Sequence, residues 1–198
     1  MARMRLFVAV DPPPEAVEHL DSFLDARRDA GDDLRWTPSS QWHLTLAFMG
    51  AAPERVLEDL VDRVGDAAGA VPPVPLALVG GGCFPDVTRA RVLWAGVSGG
   101  SALAPLVRRV RSACAVVGAA PEGGPFRAHL TLARMRQPRD ATRWVRVLES
   151  YAGPPWTAGE VTVVASHLPR RGGHRPRHEV LARLPLGAGP GVAASGGP

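Results

Sequence analysis

The chain has 198 residues, is 45% hydrophobic and 21% charged, and carries a formal net charge of +4, a composition suited to one globular unit with a sizeable core. All 23 basic residues are arginine, which excludes a Walker A lysine and any lysine nucleophile, and with them P-loop NTPase, Schiff-base and lysyl-adenylate chemistry. The two cysteines stand in no metal-ligand pattern and are too few for a disulfide framework, the apolar run at residues 6–10 is too short for a signal peptide, and no run approaches the roughly 18 residues of a membrane span, so a reduced, cytoplasmic protein is expected.

Residues 5–10 (RLFVAV) read as a strand, ended by Asp11 and three prolines. Pro14 suits a first helical turn, and residues 15–30 are expected to be helical, with Val17, Leu20 and Leu24 on one face and Phe23 beside them. Residues 34–37 form a short strand and 41–49 the next. Residues 53–68 are a second helix, with Val56, Leu57, Leu60, Val61 and Val64 inward. Residues 74–79 are a strand running into Gly80, Gly81 and Gly82.

The pattern then restarts. Residues 91–97 (RVLWAGV) resemble RLFVAV. Residues 102–118 follow as a helix, with Leu103, Leu106, Val107 and Val110 inward. Residues 121–125 are a loop, 126–135 a strand and 139–151 a helix. Strands at 159–168 and 178–184 follow. Residues 187–198 are Gly-, Ala- and Pro-rich and are expected to be a disordered tail, which leaves residues 1–186 as a single domain.

Both halves contain the word His-Leu-Thr-Leu-Ala, at 43–47 and at 129–133. The preceding strand leads its histidine by 36 residues in one half (Phe7 to His43) and by 35 in the other (Trp94 to His129). The expected fold is α+β, with two pseudo-symmetric lobes and antiparallel-type sheets flanking a central groove. The two histidine strands would lie side by side or face each other there.

Side chains alternate faces along a strand. His43 and Thr45 therefore share one face, with Leu44, Leu46 and Phe48 on the other; His129 and Thr131 do the same against Leu130 and Leu132. Two imidazoles suit general acid–base work, because one can accept a proton while the other donates. Attack on a phosphodiester needs that pair: a base for the incoming water and an acid for the departing ribose oxygen. Threonine hydroxyls can donate to the non-bridging phosphate oxygens. The chemistry needs no metal, and no carboxylates with metal-site spacing flank either word.

Charge points to an anionic partner, nucleic acid first. Residues 1–66 hold 7 arginines against 13 acids, and residues 67–198 hold 16 against 6. A plain solvated surface is the competing reading. The basic stretch 169–177 reads equally as an RNA-binding rim or as an ordinary exposed loop. His174 and His178 sit four apart without a helical pattern, so a metal site is not expected there. Trp42 is expected in the core, and His19 and His167 in structural roles.

The two His-x-Thr motifs resemble the signature of the 2H phosphoesterase superfamily. RLFVAVDPP, RWTPSSQWHLTLAFMG, RVLWAGV, PFRAHLTLAR and HEVLARLPLG, in that order, look like segments of its RNA 2′,3′-cyclic phosphodiesterases, also called 2′-5′ RNA ligases. The resemblance implies hydrolysis of a terminal 2′,3′-cyclic phosphate to a 2′-phosphomonoester, with His43 as proton donor, His129 as proton acceptor and no cofactor. It places Thr45, Thr131 and Arg134 on the phosphate. Strand parity puts Arg134 on the leucine side, so it would need a bulge or twist to reach phosphate. Arg127 has the same parity as His129 and is the second arginine candidate. The expected partner is RNA or a nucleotide with a cyclic phosphate end, with no membrane and a monomeric chain. Three alternatives stay open: an ATP-independent 2′-5′ ligase acting by reversal, a nucleotide- or RNA-binding module without turnover, and a phosphodiesterase for small cyclic phosphates.

Overall fold

The computed structural model describes residues 2–28, 34–168 and 176–187. The expected tail, beyond Gly187, and most of the basic stretch, at 169–175, lie outside the described residues.

Among the described residues nine strands form one antiparallel sheet, and four α-helices pack on it. The chain order is β1 (Arg3–Val10), α1 (Pro14–Arg28), β2 (Leu34–Trp36), β3 (Leu44–Pro53), α2 (Leu57–Gly69), β4 (Val74–Phe84), β5 (Ala90–Ser98), α3 (Ala104–Val116), β6 (His129–Arg139), α4 (Thr142–Glu149), β7 (Ala152–Ala158), β8 (Glu160–His167) and β9 (Arg177–Pro185). The strand order is β7-β4-β5-β6-β3-β1-β8-β9, with β2 added on β6. The two histidine strands are therefore neighbours at the centre. They touch through one pair, Leu44 opposite Leu130, so the sheet opens into a cleft between two four-stranded wings.

The wings match each other about that centre, but they do not coincide with the sequence halves. β4, the last strand of the first half, pairs with β5 of the second. β8, from the second half, pairs with β1 of the first. One wing takes β4 from the first half and the other takes β8 and β9 from the second, which ties the halves into one sheet.

Apolar spacing explains the helices. Leu20 and Leu24 of α1, Leu60 and Val64 of α2, and Leu106, Val107 and Val110 of α3 recur three and four apart and are buried. α1 packs on β7 and β4, α2 on α3, β8 and β9, α3 on β3, and α4 on β4. The main core lies between these helices and the leucine face of the sheet, with Leu6, Leu44, Leu46, Leu93, Leu130 and Leu132 all fully buried. A second, small cluster of Phe7, Ala9 and Val164, with Phe48 against it, covers the opposite face.

Several element bounds shift from the sequence expectation, and β4 and β7 differ most. β4 continues through its three glycines to Phe84. Gly82 is needed there because a Cβ would fall 2.5 Å from the Trp94 indole. β7 was not anticipated at all, since Pro154 and Pro155 deny the ladder two N–H donors. It is tolerated because β7 is the outermost strand of its wing, where proline can stand on an unpaired edge.

Candidate active site

The groove between the wings is lined by His43, Thr45, His129, Thr131 and Arg134, together with Phe7, Gln41, Phe48 and His178. Its volume is about 800 Å³. Among the described residues no carboxylate lines it.

The two imidazoles are held in the same way. Nδ1 of His43 donates to the backbone carbonyl of Gln41 at 2.7 Å. Nδ1 of His129 donates to the carbonyl of Arg127 at 2.8 Å. A carbonyl oxygen only accepts, so each Nδ1 carries a proton and Nε2 is the free nitrogen of each ring. Each ring is also backed by an aromatic from the neighbouring strand. Phe7 stacks on His43, with centroids 4.5 Å apart and planes at 19°. Trp94, opposite Thr131 on β5, lies 6.2 Å from His129, and Phe84 meets that imidazole edge-on at 5.0 Å.

Burial is the first cause pushing the His43 pKa down, to about 4. The Gln41 carbonyl opposes this shift, while the nearby His178, His129 and Arg134 add to it. Burial lowers the His129 pKa too, against the Arg127 carbonyl and with help from Arg134 and the Arg127 charge. Both rings are thus neutral at neutral pH. A bound anion is what would favour the protonated form of either.

The register explains how Arg134 arrives in the groove. Between β5 and β6 the pairing steps from Leu93–Ala133 to Trp94–Thr131, so β6 carries one extra residue at Leu132. That bulge reverses the alternation: Leu132 and Ala133 are both buried and Arg134 points out on the groove side. β3 bulges at the matching place, between Thr45 and Ala47. Phe48, which simple alternation puts with the leucines, consequently lines the groove as the counterpart of Arg134.

Arg127 is not brought into the groove. It precedes β6, so strand parity does not govern it, and its guanidinium lies 5.6 Å over the Phe84 ring. What it contributes to the site is its backbone carbonyl and the effect of its charge on His129. His178 is the residue that sequence reasoning passed over. Its ring stands edge-on to both Phe7 and His43, at 5.0 and 5.5 Å. Nothing in the local pattern around Pro176 marks it, because only the sheet order brings β9 near β1.

Among the described residues no three His, Cys, Asp or Glu side chains form a metal-binding set, and no helix is long and apolar enough to cross a membrane. Trp42 is buried, its indole N–H donating to Thr37. His19 bonds to the Tyr151 hydroxyl and His167 to Glu179, both away from the groove.

The family model of the 2′-5′ RNA ligase superfamily matches residues 9–175. An RNA 2′,3′-cyclic phosphodiesterase of Geobacillus stearothermophilus is 30% identical over 188 residues; the match covers 94% of this chain and 58% of that protein's length. A protein of the same name from Thermus thermophilus is 29% identical, with 98% and 96% coverage. The crystal structure of E. coli LigT without ligand superposes with a TM-score of 0.75 at 26% identity, covering 94% of this chain and 99% of that one.

Proposed function

The chain belongs to the 2′-5′ RNA ligase superfamily, and on that premise we propose that it hydrolyses the 2′,3′-cyclic phosphate at an RNA 3′ end to a 2′-phosphomonoester by a metal-independent, two-histidine mechanism. One observation carries this reading: two imidazoles, each pinned at Nδ1 by the carbonyl two residues earlier, with both Nε2 atoms free in one groove.

His129 Nε2 takes a proton from water as the water oxygen bonds to phosphorus. The bond from phosphorus to the 3′-oxygen breaks. His43, protonated once the anion is bound, gives its Nε2 proton to that oxygen. Nδ1 keeps its proton throughout, so the carbonyls of Gln41 and Arg127 stabilise whichever ring is cationic. Thr45 and Thr131 donate to the non-bridging oxygens, and Arg134 offsets their charge as the transition state forms. The repeat is nearly symmetric, and the assignment of donor and acceptor follows the family resemblance.

The test uses a short RNA ending in a 2′,3′-cyclic phosphate, with EDTA present, and His43→Ala and His129→Ala beside the wild type. Wild type should yield the 2′-phosphate, and each variant should lose at least a hundredfold in rate. A 3′-phosphate product would reverse the leaving group. Binding without turnover would make the groove a phosphate-gripping module. Loss of activity with chelator would remove metal independence.

A further inference from the structure

Three arginines crowd one face where β2 meets β6. Arg35 and Arg134 are directly opposite across that pairing. Arg136 follows Arg134 two positions on, on the same face and about 7 Å further along the strand. All three are exposed and line the groove. Arg5 reaches the groove from β1, its guanidinium 5.0 Å over Phe48 and its Nε buried without a hydrogen-bond partner among the described residues. Like charges opposite each other weaken a sheet pairing, and among the described residues no carboxylate lines this wall to relieve them. A bound anion would.

The four arginines are spread along the groove wall on three strands. Arg134 bears on both His43 and His129 through its charge; Arg136 stands two positions beyond it along β6, and Arg35 lies opposite it on β2. They lie a step further out. Two residues along a strand span a distance comparable to that between consecutive phosphates of an extended RNA strand.

We propose that Arg35 and Arg136, with Arg5 on the facing wall, form a second phosphate site that holds the phosphodiester on the 5′ side of the terminal nucleotide. The groove then selects an oligonucleotide end over a free nucleoside cyclic phosphate. This rests on the reading of the groove as a cyclic-phosphate site. The planar guanidinium fork suits two phosphate oxygens at once, and contacts to phosphate alone leave the base sequence unread.

Three substrates test it: a nucleoside 2′,3′-cyclic phosphate, the same nucleotide with a 5′-phosphate, and a trinucleotide with the same cyclic end. For wild type at low salt, adding the 5′-phosphate or the upstream linkage should raise kcat/KM about tenfold or more. Arg35→Ala and Arg136→Ala should each lose most of that gain, while turnover of the nucleoside cyclic phosphate stays within about twofold, which also reports that the variants fold. A neutral methylphosphonate in the last linkage should cost wild type the same gain and cost Arg136→Ala nothing more. The second site is overturned if wild type shows no gain, or if the variants slow all three substrates equally. If wild type turns over none of the three, the cyclic-phosphate reading itself fails.

Discussion

His43 should take up a proton when a cyclic phosphate enters the groove. Its pKa in the folded protein is about 4, so at pH 6 it is almost wholly neutral. A singly charged phosphodiester about 4 Å from the ring, at an effective dielectric near 20, favours the imidazolium by about 4 kcal/mol. That is roughly three pKa units, which moves His43 to about 7. At pH 6 the complex should therefore gain close to one proton, and Arg134 sharing the phosphate would trim this toward about half a proton. Isothermal titration of His129→Ala, which can bind without turning over, with adenosine 2′,3′-cyclic phosphate measures it. The measurement is made in two buffers of different ionisation enthalpy. The diester stays singly charged at this pH, so any uptake belongs to the protein. Uptake below about 0.2 proton, or the same uptake after His43→Ala is added, would refute the reasoning.

The same depressed pKa makes fold stability fall with acid. The unfolded imidazole titrates near 6.5 and the folded one near 4, so stability is full above 6.5 and is lost as pH drops toward 4, by up to about 3 kcal/mol. Urea unfolding across that range should show this, with a smaller drop in His43→Gln. In the catalysed reaction a bell-shaped rate profile is expected, and its alkaline limb in kcat should lie above that in kcat/KM, since the former reports the anion-bound histidine; coincident limbs would contradict this. Gly82→Ala pushes a methyl into the Trp94 indole, which should cost about 1–3 kcal/mol in urea unfolding and slow turnover by displacing the aromatic that backs His129. Thr162 is fully buried and donates to the Asp11 carboxylate at 3.1 Å, so Thr162→Val should destabilise by about 1–3 kcal/mol, read as a lower thermal midpoint.

Much of the site was legible because its signals are local. His-x-Thr puts an imidazole and a hydroxyl on one face of a strand by period alone, and the leucines between them commit the other face to the core. The structure finds Leu44, Leu46, Leu130 and Leu132 fully buried and both His-Thr pairs in the groove. Helix positions followed from apolar spacing in the same way, although the ends shifted: the expected helix at 139–151 is Thr142–Glu149, because β6 runs on to Arg139. β7 was missed because two prolines argue against a strand wherever both edges are paired, and sequence does not say which edge is free.

Two matching His-x-Thr strands, the faces they bury and the arginine-only set of basic groups can all be read along the chain. Tertiary structure decided the rest. Which residue follows each motif into the groove depends on the bulges at Leu46 and Leu132, and a bulge exists only relative to the partner strand that fails to match it. The exchange of β4 and β8 between halves, the approach of His178 to His43, and the meeting of Arg35 with Arg134 are likewise properties of strand pairing. Side-chain alternation is set by the chain's own covalent geometry, so it can be read along the sequence. Register is set by hydrogen bonds between segments far apart in the chain, so it appears only once the sheet has formed.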